Sequence, residues 1–280
     1  MITLSSLLEQ NRLGFEGALK KEIQRWRDWP DSLISVCKYS LLSGGKRVRP
    51  ILAMMVAEAL STETDEVLPW AIAVEMIHTY SLIHDDLPAM DDDAERRGKA
   101  TCHIVFGEAN AILAGDALLT RAFAVLTESL TDVNRSVKLV SLLAHSAGGR
   151  GMVAGQVYDM GGELGSLQQI QQMQRLKTGA LIRAAAQGAA IAVGATATQV
   201  ATMRGFGDSL GFLFQLTDDI LDRDEDGDDD GKNILNHLSE SEVWSLRDET
   251  AAAAKHFLQP LGSKGRSLVD FVDYITHRDV

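Results

Sequence analysis

The chain has 280 residues, 45% of them hydrophobic, and a formal net charge of −12. That length and apolar content suit one large domain, and the acidic balance argues against nucleic acid or an anionic membrane as partner. Its two cysteines, Cys37 and Cys102, form no paired motif, which points to a reducing cytoplasm.

Apolar residues recur at helical spacing nearly everywhere, predicting helices at about 5–27, 31–42, 50–61, 67–87, 104–129, 134–160, 166–192, 197–223, 239–257 and 264–276. The first of these alternates apolar and charged residues, unlike a signal peptide. Breaks fall at Pro30, Ser43-Gly44-Gly45, Pro69, Pro88, Gly161-Gly162 and the acidic glycine loop at 224–231. Strand-like alternation is absent, and no linker or repeat divides residues 1–280. No stretch approaches the length of a strongly apolar membrane span; the Ala-rich run from Arg183 to Ala197 is interrupted by Gln187 and reads as tightly packed helix. The fold class is therefore all-α, one domain of long helices bundled around a central cavity.

Charged residues concentrate at a few points along that frame. Ser43-Gly44-Gly45-Lys46-Arg47-Val48-Arg49-Pro50 combines glycines that let a backbone approach an anion with Lys46 and Arg49, which supply charge-assisted hydrogen bonds. Taken alone, such a turn is more often merely solvated. In the helix ending at Asp86, His78, Leu82 and Asp85 share one face, with Ser81 one turn before Asp85 and Tyr80 one residue deeper. Pro88 stops the helix, so the chain can fold back and bring Asp91 to Asp85 across one ion. The plainer reading, an exposed acidic helix end, is disfavoured because carboxylates there oppose the helix dipole. His78 fits either a core histidine or a phosphate ligand. Arg96-Arg97 follow, in a residue type suited to bidentate phosphate contact.

Further along, Gln156 and Asp159 can face the cavity. Lys177-Thr178-Gly179 reads as a helix interruption, either a simple kink or a break whose exposed carbonyls stabilise a carbocation. A second acidic cluster, Asp218-Asp219-Ile220-Leu221-Asp222, is preceded by Gln215. The run from 222 to 233 imitates a calcium loop, but Asn233 stands where a bidentate Glu is needed. Carboxylates this crowded repel one another and need a shared cation. Mg²⁺ takes one or two carboxylates per ion and fills its other positions with water and substrate phosphate. Two facing clusters would thus clamp a diphosphate through several Mg²⁺ ions, with the basic motifs holding a second phosphorylated substrate directly.

GGKRVRP at 44–50, EMIHTYSLIHDDLPAMDDD at 75–93, RRGKATCHIVFGEANAILAGDALL at 96–119, GQVYD at 155–159, KTGALIRAA at 177–185 and GFLFQLTDDILD at 211–222, in this order, resemble the trans-isoprenyl diphosphate synthases, or polyprenyl synthetases, of short-chain bacterial type. The resemblance implies the isoprenoid synthase fold, mostly antiparallel helices around a deep cavity, usually as a homodimer; with the cysteine and hydropathy readings, a cytoplasmic protein without stable membrane insertion is expected. It implies Mg²⁺-dependent 1′-4 condensation of isopentenyl diphosphate with allylic diphosphates. By position, Asp85, Asp86 and Asp91 would bind two Mg²⁺, and Asp218, with Asp219 and Asp222 in support, a third; Mn²⁺ could substitute. Arg96, Lys177 and Lys232 would contact the allylic diphosphate, and Lys46, Arg49, His78 and Arg97 would hold isopentenyl diphosphate. The Lys177 and Thr178 carbonyls and Gln215 would face the allylic cation. Tyr80 and Ser81 would form the cavity floor, and Tyr80 with the Pro88-Ala89 insertion resembles farnesyl diphosphate synthases. Geranylgeranyl or geranyl diphosphate synthases share this site, and a regulatory subunit would have lost the metal ligands. Ala100 in place of a usual proline, the acidic loop after Asp222 and a shortened segment beyond Lys232 depart from the family pattern.

Overall fold

The computed structural model describes residues 3–60, 65–161, 165–221 and 232–278, and these are almost wholly helical. The helices are α1 (Leu4–Ile23), α2 (Asp31–Leu41), α3 (Val48–Leu60), α4 (Leu68–Asp85), α5 (Cys102–Phe106), α6 (Glu108–Ser129), α7 (Val133–Ala147), α8 (Met152–Met160), α9 (Leu167–Gln174), α10 (Ala180–Ala192), α11 (Ala197–Leu221), α12 (Glu240–Leu258) and α13 (Arg266–Thr276). The expected all-α class holds.

Helix starts follow local hydrogen-bond chemistry. Asp132 caps α7 by accepting from the backbone N–H groups of Asn134 (2.9 Å) and Arg135 (3.1 Å). At α12, Ser239 and Glu242 form a reciprocal capping box.

Four boundaries differ from the periodicity. The segment expected as 104–129 breaks at Gly107, whose φ of 83° no ordinary helix accommodates. The segment expected as 134–160 breaks at Gly148–Gly151, where a Cβ on Gly151 would lie 2.1 Å from the Ser146 carbonyl oxygen. Apolar spacing continues through both glycines, so periodicity alone missed them. The expected interruption near Lys177 is instead one π-helical turn, Arg175–Gly179, joining α9 to α10. Finally, a two-residue hairpin appears where no strand was expected: β1 (Glu95–Arg96) pairs antiparallel with β2 (Lys99–Ala100) through Arg97 and Gly98, both at positive φ.

One apolar core runs from α1 to α13. Helix α3 is buried from Pro50 to Ala57, as a helix apolar on all sides must be, and α4 is buried from Trp70 to Ile77. Helix α4 packs against α3, α6 and α10, and α10 packs in turn against α11. Helix α6 is, among the described residues, long and apolar enough to span a membrane by length and composition, which the sequence reading did not anticipate. Its inner face, Ala111, Ala114, Leu118, Ala122 and Val125, is core, while Ile112 and Leu113 point outward.

The α4–α10 contact rests on Trp70. Its indole N–H donates to the Ala185 carbonyl (3.1 Å), and its ring lies where a Cβ on Gly188 would sit, 2.1 Å away. Gly188→Val is expected to destabilise the fold by about 1–3 kcal/mol through overpacking. Gly17→Ala, with nothing within 4 Å of the new methyl, should instead gain about 0.5–1 kcal/mol. Urea unfolding of the two variants tests both.

Candidate active site

A cavity of about 390 Å³ opens between α4, α8 and the π-turn. Arg49, His78, Asp85, Gln156, Lys177 and Thr178 supply its polar wall, and Tyr80, Met90, Met152 and Val157 belong to its apolar wall. Tyr80 lies deeper along α4 than Asp85, as helical spacing requires. Larger depressions lie elsewhere, beside α1 and between α11 and α12, but neither collects the candidate residues.

The first acidic motif folds back as expected. Past the end of α4, the Asp91 backbone N–H donates to the Asp85 carbonyl (2.9 Å), closing a loop around Pro88. Burial pushes the Asp85 carboxyl up to about 6; Lys177 pulls it down, while Asp91 and Asp86 push it further up. Asp86 is nearly inaccessible, and its carboxylate accepts from Arg96 Nε at 2.5 Å. Arg96 also bonds Asp93 (2.9 Å), so this candidate phosphate ligand is held by two aspartates.

The two basic motifs meet. Arg97 donates to the Gly44 carbonyl (2.7 Å), and its guanidinium fills the space a Cβ on Gly45 would need, 2.6 Å away. Gly45 therefore admits an arginine. Arg49 lines the cavity with its Nε buried and unpartnered, and Lys46 sits on the exposed loop. His78 stands among Arg49, Arg97, Arg47 and Arg96; burial and those charges hold its pKa well below 6.5. It is thus a neutral N–H donor at pH 7.

Arg47 was not a candidate and turns inward at φ 49°. It bonds Glu75 at 2.6 Å and the Leu41 carbonyl at 2.5 Å, and both side chains of this ion pair are 2% exposed. The pair ties the basic loop to α4. A lone carboxylate amid the apolar run from Trp70 to Ile77 was the signal that could have exposed it.

On the opposite side, Lys177 in the π-turn pairs with Asp159, whose other oxygen lies 3.2 Å from Lys232 Nζ. Burial works against the Asp159 charge, but the two lysines win and hold its pKa below the usual value. A Cβ on Gly155 would lie 2.1 Å from the Lys177 backbone nitrogen, so α8 presses directly on this turn. Both amide atoms of Gln156 are buried without partners. Donors and acceptors placed so on a cavity wall are open to a polar ligand.

The second acidic cluster divides its roles. Asp219, anticipated as a supporting metal ligand, is buried and accepts from Gln215 (3.0 Å), Gln174 (2.6 Å) and the Ile234 backbone N–H (3.1 Å). With both oxygens so engaged it acts as an anchor. Asp218 pairs with Arg278, which stacks on Phe214 at 4.1 Å. Neither Gln174 nor Arg278 had been singled out, because nothing local marks them. Asp222 and most of the calcium-like loop lie outside the described residues.

No three described acidic, histidine or cysteine side chains stand close enough to hold an ion unaided. Mg²⁺ does not require that, since one or two carboxylates plus substrate oxygens suffice. Asp85, whose carboxyl nearby Asp91 pushes up, and Asp91 itself, returned to it by the chain, offer the oxygen-only donors that such an ion takes.

An all-α bundle with carboxylates and cations opposed across a partly apolar cavity defines a class of enzyme handling an apolar chain with an anionic head. The polyprenyl synthetase family model matches residues 30–260. Farnesyl diphosphate synthase of Geobacillus stearothermophilus is 45% identical over 228 residues, covering 79% of this chain and 76% of that protein. Geranylgeranyl diphosphate synthase of Cyanophora paradoxa is 36% identical over 292 residues, covering 99% and 96%. A crystal structure of a geranyltransferase from Legionella pneumophila superposes with a TM-score of 0.89 at 29% identity, covering 98% and 96%. The chain belongs to the polyprenyl synthetase family.

Glu75→Gln leaves Arg47 buried without its counter-charge and should cost about 3–5 kcal/mol in urea unfolding. The double variant Arg47→Met/Glu75→Leu should lose less than the two single losses combined. For His78, the unfolded chain takes up a proton near pH 6.5 that the folded chain resists, so its contribution is full above that pH and lost as pH falls. His78→Gln should therefore lose stability less steeply than wild type between about pH 7 and 5; equal slopes would mean His78 protonates in the fold.

Proposed function

We propose that this chain catalyses head-to-tail condensation of isopentenyl diphosphate with dimethylallyl and geranyl diphosphates, giving farnesyl diphosphate. The observation that carries this is the convergence of Asp85, Arg49 and Lys177 on one cavity that buried Tyr80 also lines.

Lys177, Lys232 and Arg96 take the allylic diphosphate. Each pairs with a carboxylate, so phosphate oxygens would replace Asp159 and Asp86 as their partners. Asp85 and Asp91 on one side and Asp218 on the other hold Mg²⁺, three ions per site by family analogy. Such ions would supply the positive charge that neutralises the pyrophosphate leaving as the C1–O bond breaks. The π-turn at Lys177 and Thr178 faces the resulting allylic cation with backbone dipoles. Gln215, whose amide nitrogen is committed to Asp219, offers its oxygen to the same charge. Arg49, Lys46 and Arg97 grip the second diphosphate, with His78 adding one neutral N–H. The isopentenyl double bond attacks the allylic C1, and the released pyrophosphate removes the C2 proton.

Residues 1–280 act as one domain in this reading, supported by the continuous core. The exposed Ile104, Val105, Ile112 and Leu113 of α5 and α6 support a homodimer burying this face. The cysteines are free, in keeping with a cytoplasmic protein.

Purified protein incubated with Mg²⁺, isopentenyl diphosphate and, separately, C5, C10 and C15 allylic diphosphates tests the proposal. C15 product from the two shorter starters and none from the C15 starter is expected, with no product in EDTA. Tyr80→Ala should lengthen the product. C20 from the wild type would make it a geranylgeranyl diphosphate synthase, and no condensation would remove the proposal.

A further inference from the structure

His84 belongs to neither acidic motif nor to the residues expected to form the floor, yet it lines the same cavity as Tyr80. The two lie one turn apart on α4. Their rings meet edge to face, with centroids 5.7 Å apart and planes at 75°. His84 Nε2 lies 3.2 Å from the Ile112 carbonyl on α6. A carbonyl only accepts, so Nε2 carries the proton and the imidazole is a fixed donor. Behind the ring stands Gly115, also on α6, where a Cβ would lie 2.1 Å from His84 Nε2. The imidazole is thus seated in a notch that exists only because residue 115 has no side chain. It is held by α6 on one side and braces Tyr80 on the other.

We infer that His84 is a specificity-determining residue: its imidazole, lodged over Gly115 and bonded to Ile112, holds Tyr80 across the cavity and limits the length of the apolar chain accommodated there. Removing the ring frees both its own volume and the motion of Tyr80, so the cavity deepens. Filling the notch has the opposite effect. A methyl at residue 115 occupies the ring's place against α6 and displaces the imidazole toward the cavity it already lines. A few methylenes' worth of space is the scale on which an apolar pocket discriminates by about ten- to a hundredfold.

This inference rests on the prenyl-chain reading of the cavity, and the experiment separates the two. Wild type, His84→Ala and Gly115→Ala are incubated with Mg²⁺, isopentenyl diphosphate and geranyl or dimethylallyl diphosphate, and products are resolved by chain length. His84→Ala is expected to raise the ratio of C20 to C15 product about tenfold or more. Gly115→Ala should shift the distribution the other way, raising C10 relative to C15 from the dimethylallyl starter. A residue with only a structural role would lower turnover and melting temperature while leaving the distribution as in wild type. An unchanged distribution in either variant, or shifts in the same direction, overturns the inference. Should His84→Ala leave no product to resolve, the Gly115→Ala distribution decides alone. No condensation by the wild type would instead count against the functional reading.

Discussion

Carboxylates withdrawn from water at the ends of two helices set the terms for everything around them. Asp85 and Asp86 end α4, where the helix dipole opposes them, and Asp218 and Asp219 lie near the end of α11. Burial disfavours their charge, and Asp85 is pushed up to about 6. The chain meets the difficulty with internal counter-charges: Arg96 on Asp86, Arg278 on Asp218, and amide donors on Asp219. Lys177 and Lys232 share Asp159 in the same manner. Each cation in these pairs has the chemistry to bind phosphate. The site is thus a set of ion pairs whose cations are already gathered round it, an arrangement that preorganises them for an anionic partner.

Helix α4 concentrates these functions. Along one element stand Glu75, which anchors the basic loop through Arg47, then His78, Tyr80 and His84, which line the cavity, and the terminal aspartates. Because rise and rotation per residue are fixed in a helix, the separation between floor and carboxylates is set by residue count. On the proposed function, a buried helix would therefore serve as a ruler between the diphosphate and the far end of an apolar chain. Its rigidity comes from its neighbours, notably Trp70 lodged in the notch at Gly188 and the α6 surface that receives His84.

Glycines make the other decisive contacts. Gly155 admits the backbone of the π-turn, Gly45 admits the Arg97 guanidinium and Gly211 admits Gly179. In each case the missing Cβ lets one functional segment approach another more closely than any side chain would permit. Several of the family-like glycines thus serve tertiary contact first, and Gly45 in particular is occupied by an arginine rather than opened to an anion.

Much of this was legible in the sequence because it is local. Helical periodicity, the position of Tyr80 relative to Asp85 and the return of the chain at Pro88 all depend on residues within a few turns of one another. The motif order was enough to indicate the family. What the tertiary structure alone decided were the roles within that set. Asp218 and Asp219 are adjacent and identical in type, yet one faces a guanidinium 60 residues away and the other is consumed by amides from α9 and α11. Arg47 and Arg49 are two residues apart, yet one is buried against Glu75 and the other lines the cavity. Charge and residue type are written in the chain, but burial and partner are properties of distant segments brought together, and those determine whether a carboxylate anchors a helix or remains available to a cation.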